Sequence, residues 1–196
     1  IPSRIILMFK KIRNTNRFKN IILSDYINDI DEEEDCQISA LTCKISDDLY
    51  VISFSGTDDT LVGWKENFDL IYKEETKAQR EAINYVSKII NKYENAKFYI
   101  IGHSKGGNLA YYSYIFNTLE NRSKVKKVFN FDGPGLTKSE SEKALLIEDI
   151  KNVVSILPES SCIGNLFKHV EKIDIVRSIN KGLYQHDVFS WLINVK

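Results

Sequence analysis

The stretch FYIIGHSKGG (residues 98–107) joins a short apolar run to a serine flanked by glycines and to the start of a helix. Residues 98–101 are wholly apolar, as expected of a strand buried on both faces of a parallel sheet. Residues 102–106 follow directly and fit the pattern G-x-S-x-G. In this pattern the serine lies on a sharp turn, and the glycines lack the Cβ atoms that would collide across it. The stretch predicts a strand–turn–helix unit with Ser104 as a nucleophile at the end of the sheet.

Strand-like and helix-like segments alternate on both sides of this unit. The turn at 46–48 joins the first two predicted strands, which indicates an antiparallel hairpin at a sheet edge. The order β-β-α-β-α-β-α-β-β-α predicts a three-layer α/β domain with a mainly parallel central sheet. We expect this single domain to cover residues 17–196, after a basic segment at 1–16. The predicted strands are 37–45, 49–55, 98–101, 125–131, 152–157 and 172–179, and the predicted helices are 76–95, 108–119, 139–150 and 188–193.

Composition narrows the class of protein. The chain has 196 residues, 43% of them hydrophobic and 28% charged, which is ordinary for a soluble globular protein. Its 27 basic and 27 acidic residues cancel, so no overall charge indicates a nucleic-acid partner. No apolar run approaches the roughly 20 residues of a membrane helix. The three cysteines have neither metal-ligand nor CxxC spacing, which favours reduced thiols and a cytoplasmic location.

The first residues form a basic segment. The chain begins with Ile1 rather than Met, so we expect a fragment or a processed product. Residues 1–20 contain six basic and no acidic residues. No secretory signal is predicted, because Arg4 interrupts the apolar stretch and further basic residues follow it. An ordinary helix with solvated charges is the favoured interpretation, and contact with a membrane surface is the alternative. The acidic run 31–35 is predicted to be an exposed loop.

A serine nucleophile needs a base, an acid that orients the base, and donors for the oxyanion. His103 lies inside the turn, where its ring cannot easily reach Ser104. His169 precedes a predicted strand and is expected at the surface. His186 follows the last predicted strand, in the chain order Ser…acid…His that this architecture favours. His186 is therefore the predicted base.

Three carboxylates remain open as the acid. Asp132 follows the strand 125–131 and ranks first, because catalytic groups gather at the carboxyl ends of strands. Asp174 ranks second, since isoleucines flank it within a predicted strand and it can simply belong to the polar face. Glu159 ranks third, since it comes directly after a proline.

The oxyanion donors are expected at two places. The backbone N–H of Lys105 begins the helix after the nucleophile. Thr57 follows an early strand and offers both an N–H and a hydroxyl. A plain polar turn explains residues 55–59 equally well.

These motifs resemble those of known hydrolases. FSGTDDTLVGWKENFDL (54–70) resembles the F-R-G-T segment and the tryptophan-containing helix of class 3, fungal-type lipases. GHSKGGNLA (102–110) resembles the G-H-S-L-G-G-A-L-A elbow of the same lipases. More closely, from Arg17 to Trp191 the chain resembles a bacterial lipase-like family of low-GC Gram-positive organisms. The further motifs that carry this likeness are FNFDGPG, LPESSCIG and QHDVFSW.

The resemblance implies an α/β-hydrolase-type fold and assigns the family's motif positions to Ser104, Asp132 and His186, with Thr57 as the oxyanion residue. The LPESSCIG stretch stands where class 3 lipases carry their acid, which supports Asp132. One position departs from the pattern, because Ser55 replaces the arginine of F-R-G-T. Losing that cation removes a partner for a neighbouring carboxylate and weakens the order of the oxyanion loop.

The sequence thus predicts a serine hydrolase of carboxylic esters, acting on a small-molecule or lipid ester without metal or organic cofactor. The alternatives are a hydrolase-fold protein that binds a ligand without turnover, and a thioesterase or peptidase on the same residues. Segments 133–150 and 158–170 are candidates for a lid over the serine. Ordinary core packing is the favoured interpretation of their apolar residues, which are Leu145, Leu146, Ile163, Leu166 and Phe167.

Overall fold

The computed structural model describes residues 3–34, 36–57, 73 and 75–193, with side chains from Ile5 onward. Seven strands of this part form one sheet in the order β1 to β7. β1, β2 and β3 pair antiparallel, and every later pair is parallel. The strands are β1 (Ile22–Asp31), β2 (Cys36–Ser46), β3 (Leu49–Phe54), β4 (Lys97–His103), β5 (Val125–Phe131), β6 (Val153–Pro158) and β7 (Lys172–Val176). The predicted α/β fold with a mainly parallel sheet and an antiparallel N-terminal part is confirmed.

Helices alternate with the parallel strands. They are α1 (Ser3–Ile12), α2 (Lys77–Lys92), α3 (Lys105–Ile115), α4 (Leu119–Lys124) and α5 (Lys138–Ala144). Short 3₁₀ helices cover Glu148–Asn152, Gly182–His186 and Val188–Ser190. Within the part of the chain that the structure describes, no helix is both long and apolar enough to cross a membrane.

The core lies between the central strands and the two longest helices. α3 contacts β3, β4, β5 and α2, and all of its residues are buried. On β4, Phe98 and Ile100 face this layer and are fully buried. Because side chains alternate along a strand, Tyr99 faces the opposite side of the sheet, where its ring stacks on that of Phe129. The ring of Trp191 packs near Phe131 on that side. The strand predicted from 98–101 therefore lies in the middle of the protein.

α2 begins at a capping box. The Thr76 hydroxyl accepts a hydrogen bond from the backbone N–H of Gln79, and the Gln79 side chain accepts one from the backbone N–H of Thr76. The predicted apolar face is buried at Ala78, Ala82, Val86, Ile89 and Ile90. Both features agree with the helix expected from this part of the sequence.

β1 was not predicted from the sequence. Its ten residues, ILSDYINDID, are too polar and irregular to resemble a strand, yet they pair antiparallel with β2. A bulge between Ser24 and Ile27 holds Asp25 at a φ of 54°. Lys92 and Tyr93 at the end of α2 donate hydrogen bonds to the Asp25 carboxylate. Contacts with α2 therefore stabilise an edge strand that local sequence does not favour.

The predicted loop at 31–35 is partly wrong. Asp31 ends β1 and forms a salt bridge with Lys77 of α2, with 2.5 Å between Oδ2 and Nζ. Residues 32–34 form an exposed turn, as expected, and Asp35 lies outside the described residues.

Several predicted helix limits are also wrong. Residues 188–190 form a 3₁₀ turn that the Asp187 carboxylate caps, rather than a helix over 188–193, because Trp191 bridges to Ser178. The helix predicted over 139–150 ends at Ala144 and is followed by a separate 3₁₀ helix. α3 starts at Lys105 and ends at Ile115, and Thr118 caps a new helix, α4.

Replacing Thr76 by alanine removes the oxygen that caps α2, so we expect a loss of about 1 kcal/mol in the free energy of unfolding. Urea denaturation followed by circular dichroism measures this change. Thr76→Ser keeps the oxygen and is the matched control. Equal losses in the two variants would assign the effect to the methyl group rather than to the cap.

Candidate active site

Ser104 occupies a strained turn between β4 and α3. Its φ is 58° and its ψ is −132°, a conformation that costs a residue with a side chain about 1–3 kcal/mol. Its N–H donates to the carbonyl of Phe131 at 3.0 Å, and its carbonyl accepts from Gly107 N at 2.8 Å. The strand–turn–helix unit predicted from the sequence is present.

Missing side chains allow α3 to approach the sheet at this turn. A Cβ on Gly102 would lie 2.0 Å from the carbonyl oxygen of Gly106. A Cβ on Gly106 would lie 2.4 Å from the carbonyl oxygen of Phe54, at the end of β3. Both contacts are with backbone atoms that cannot move aside cheaply, so the turn requires glycine at these positions.

Lys105 begins α3 directly after the serine. The first N–H groups of a helix have no acceptor within the helix, and they carry a partial positive charge. The buried Lys105 side chain reaches β2, where Nζ donates to both the backbone and the side-chain oxygen of Gln37 at 2.6 Å. The residue whose backbone N–H is predicted to bind an oxyanion is therefore anchored to β2 through its side-chain ammonium group.

The loop after β3 lies against the serine. A Cβ built on Gly56 would be 3.3 Å from Ser104 Cβ and 3.9 Å from Ser104 Oγ. Ser55, the residue in the usual arginine position, donates its N–H to the carbonyl of Ser39 on β2 at 2.9 Å. Thr57 follows Gly56 and is half-buried. The predicted polar turn beyond Thr57 and the tryptophan-containing stretch continue into residues 58–72, which lie outside the described residues.

Asp132 and His186 are in direct contact. The Asp132 side chain is fully buried, and its Oδ2 lies 2.7 Å from Nδ1 of His186. The other oxygen, Oδ1, accepts hydrogen bonds from the Gly164 N–H at 3.2 Å and from the Ser161 hydroxyl. The carboxylate thus has partners for both oxygens, which suits an ionised group held in one orientation.

The other two candidate carboxylates lie away from His186. Asp174 is exposed on β7, and its Oδ1 lies 2.8 Å from the Lys172 ammonium nitrogen. Glu159 is exposed, and its backbone N–H donates to the carbonyl of Val176. Of the three carboxylates considered from the sequence, the structure brings Asp132 to the imidazole.

Two buried asparagines hold the loop that carries Asp132. Asn130 bonds to Gly133 in both directions, through Oδ1 at 2.9 Å and Nδ2 at 3.1 Å. Asn108 of α3 donates to the carbonyl of Gly135 at 2.8 Å. Asp132 itself has a φ of 48°, and its N–H donates to the carbonyl of Ile156 on β6. These bonds fix the backbone on both sides of the carboxylate.

His186 ends a 3₁₀ helix that the last residues hold in place. The indole N–H of Trp191 donates to the carbonyl of Gln185 at 2.8 Å, and the Gln185 side chain accepts from Ser160 N at 2.9 Å. The imidazole is 28% exposed. Because an ionised carboxylate accepts only, Nδ1 carries the hydrogen and the basic lone pair lies on Nε2.

His103 has a role that sequence reasoning missed. Its ring lies against that of His186, with 4.4 Å between centroids, and its Nε2 lies 2.8 Å from the His186 carbonyl oxygen. Since a carbonyl only accepts, Nε2 donates this bond. Burial lowers the pKa of His103, and the neighbouring His186 lowers it further. His103 is therefore a neutral hydrogen-bond donor that supports His186. The two residues are too far apart in the sequence for a local pattern to reveal this contact.

His169 was expected at the surface, and this prediction is wrong. Its side chain is only 6% exposed and contacts Glu171, whose side chain is fully buried. The segment between β6 and β7 contacts Asp132 through Ser161 and Gly164, and the Gly164 carbonyl oxygen lies 2.5 Å from Nε2 of His169. A polar H-V-E sequence carries no local signal of this burial.

The fold is similar to those of solved lipases. Rhizomucor miehei lipase has a TM-score of 0.55 and 11% identity, with 80% of this chain and 57% of that chain covered. Lip2 lipase from Yarrowia lipolytica has a TM-score of 0.53 and 13% identity, with coverages of 89% and 80%. A triacylglycerol lipase from Penicillium expansum has a TM-score of 0.53 and 11% identity, with coverages of 81% and 71%.

These matches show the α/β-hydrolase-like fold of the class 3 lipases, as the sequence motifs indicated. The chain spans 60% of a fungal lipase solved with an inhibitor and 57% of the Rhizomucor lipase. No curated protein matches the sequence. The family described as Mbeg1-like matches residues 12–196, which include the serine turn, Asp132 and His186. The chain therefore belongs to the Mbeg1-like family.

Proposed function

We propose that this protein is a serine hydrolase that cleaves carboxylic esters, with lipid or acyl esters as its substrate class. The observation that carries the proposal is the 2.7 Å contact between Asp132 Oδ2 and His186 Nδ1. Asp132 lies at the end of β5, and Ser104 lies at the end of the neighbouring strand β4. Strained serine, imidazole and buried carboxylate are the three groups that nucleophilic acyl transfer requires.

In the proposed mechanism, Ser104 Oγ attacks the ester carbonyl while Nε2 of His186 takes the hydroxyl proton. The imidazolium then returns this proton to the leaving alcohol, and an acyl-enzyme remains. Water then attacks the acyl-enzyme carbonyl with the same help from His186, which releases the carboxylic acid and restores the serine. Asp132 keeps the imidazole in the required tautomer, and the N–H groups of Lys105 and Thr57 bind the oxyanion.

Exposed apolar residues in the two candidate lid segments support an acyl substrate. Leu145, Leu146 and Leu166 are 63%, 85% and 46% exposed, so the expectation that they pack in the core is wrong. Their segments are joined by a bridge between Leu136 and Lys168. We propose that this apolar surface forms the lid and contacts the acyl chain.

A fluorophosphonate probe tests the proposed nucleophile. The parent protein should be labelled, Ser104→Ala should not, and His186→Ala and Asp132→Asn should be labelled roughly 10²- to 10⁴-fold more slowly. Asp174→Asn, which removes an exposed carboxylate of the same sheet, should react like the parent. The rate is followed by gel fluorescence.

Absence of labelling in the parent would contradict the hydrolase proposal and favour a ligand-binding protein on a hydrolase fold. If the parent is labelled, turnover of matched oxygen-ester, thioester and peptide substrates separates an esterase from a thioesterase or a peptidase. Faster turnover of either alternative would replace the proposed substrate class.

The support that His103 gives to His186 predicts a separate effect. His103→Phe keeps a ring against His186 but loses the donor to its carbonyl, so labelling should slow by about fivefold. His103→Gln offers an amide donor and should recover part of the rate. A parent-like rate in His103→Phe would show that the hydrogen bond does not contribute.

We further propose that the N-terminal segment contacts an anionic membrane surface and that the protein is cytoplasmic. On α1, Ile6, Leu7 and Phe9 are 45%, 55% and 53% exposed, next to the exposed Lys10 and Lys11. A groove of about 290 Å³ beside α1 has apolar walls that include Phe18 and Leu23, together with Arg13 and Lys19. An apolar surface with cations around it, formed largely by the first 20 residues, which include no acidic residue, complements anionic lipid, which cytoplasmic leaflets carry.

Vesicle sedimentation tests the membrane proposal. Binding to vesicles of phosphatidylcholine with phosphatidylserine should exceed binding to phosphatidylcholine alone, and added salt should weaken it. Lys10→Glu with Lys11→Glu should reduce binding at least about tenfold. Lys88→Glu with Lys151→Glu changes the net charge equally and should bind as the parent does. Equal binding to both vesicle types would contradict the proposal.

A further inference from the structure

A buried histidine–glutamate pair, His169 and Glu171, lies next to the loop of Gly164 and has no part in the proposed mechanism. The side chains of His169 and Glu171 are 6% and 0% exposed. Nδ1 of His169 lies 2.6 Å from Oε1 of Glu171, and Nε2 lies 2.5 Å from the carbonyl oxygen of Gly164. Both ring nitrogens therefore have a partner inside the protein.

The two partners determine the charge of the ring. A backbone carbonyl can only accept a hydrogen bond, and an ionised carboxylate also only accepts. His169 must donate from both nitrogens to satisfy them, which requires the imidazolium form. Glu171 receives further donors, namely the Ser155 hydroxyl on Oε1 and the backbone N–H of Val170 on Oε2 at 2.9 Å. These donors stabilise the ionised carboxylate.

The pKa shifts agree with this geometry. Burial alone lowers the pKa of His169, but the hydrogen bond and the charge of Glu171 outweigh it and raise the pKa above its ordinary value. Burial alone raises the pKa of Glu171, and the hydrogen bond and charge of His169 reverse this shift. Each group is thus charged because the other is. A buried ion pair adds little net stability to the fold, so the role of this pair is better judged from the groups that it contacts.

The pair holds the loop that binds Asp132. His169 fixes the carbonyl of Gly164, while the N–H of the same residue donates to Asp132 Oδ1 at 3.2 Å and to Ser161 Oγ at 2.7 Å. A Cβ on Gly164 would lie 2.6 Å from Asp132 Oδ1, so the loop backbone is pressed against the carboxylate. A continuous set of contacts leads from Glu171 through His169, Gly164 and Asp132 to His186.

We propose that His169 is a positioning residue, held as an imidazolium by Glu171, that fixes the Gly164 loop and thereby orients Asp132 toward His186. The inference about catalysis rests on the proposed function, whereas the charge of His169 does not. Tyr111 of α3 faces Glu171, and Asp132 lies beyond Gly164. Lys168 is exposed next to His169 in sequence, and Lys172 is paired with Asp174 on β7.

The charge predicts a pH dependence. A histidine whose folded pKa is raised above its ordinary value of about 6.5 keeps both N–H donors at low pH. It loses one of them only as the pH rises through the raised value. The labelling rate of the parent should therefore fall on the alkaline side of this raised pKa.

Two variants test the role in positioning. His169→Gln and Glu171→Gln remove the charged pair, and each should slow labelling by about tenfold near neutral pH. Both should lose the alkaline fall. Asp174→Asn, an acid-to-amide change in the exposed ion pair of the neighbouring strand, is the matched control and should keep the parent profile. A purely structural role would lower the rate without removing one limb of the profile.

Nuclear magnetic resonance tests the charge without any activity. In the full chain carrying Ser104→Ala, the ¹⁵N shifts of His169 at neutral pH should show both ring nitrogens protonated. The low-field proton of His186 Nδ1–H, which reports its bond to Asp132, should shift when His169→Gln is added. A neutral His169 ring, or an unchanged His186 resonance, would overturn the inference even if no variant is labelled. A parent that is not labelled but shows both signals would reject the hydrolase proposal alone.

Discussion

The close approach of α3 to the ends of β3, β4 and β5 is the constraint on which the rest of the structure depends. It is possible because Gly102 and Gly106 have no Cβ atoms. A Cβ on either glycine would lie only 2.0 Å or 2.4 Å, respectively, from a backbone carbonyl oxygen. The same approach forces Ser104 to a φ of 58° and brings Gly56 beside it. Close packing of α3 thus accounts for the sharp turn at Ser104, for the strained backbone there and for the position of the loop at Gly56.

The second level of organisation is electrostatic. Asp132 is fully buried, and a buried carboxylate is costly unless its oxygens are hydrogen-bonded. Two separate segments meet that requirement, namely the loop of Ser161 and Gly164 and the 3₁₀ helix of His186, while the Ile156 carbonyl of β6 accepts the backbone N–H of Asp132. Because each segment is itself tied to another, through His169, Trp191 or the sheet, the carboxylate links parts of the chain that are not adjacent in sequence.

Similarity to fungal lipases fits this picture at the level of the fold. With identities of 11% to 13%, the similarity concerns the fold alone. Fold similarity locates loops at the carboxyl ends of strands but does not determine their chemistry. The contact between Asp132 and His186, together with the strained turn at Ser104, is therefore what supports the proposed esterase activity. The buried pair of His169 and Glu171 adds a support for Asp132 that the fold alone does not imply.

The sequence by itself determined the features that depend on neighbouring residues. Apolar spacing predicted α2 and the parallel strands, and a glycine pattern predicted the turn at Ser104. The sequence missed β1, whose polar residues become a strand only by pairing with β2, and it put His169 at the surface. It also left three carboxylates open, and only tertiary structure brought Asp132 to His186, across 54 residues. The physical reason is that backbone preference is local, whereas burial and hydrogen-bond partners are decided by which distant segments the topology brings together.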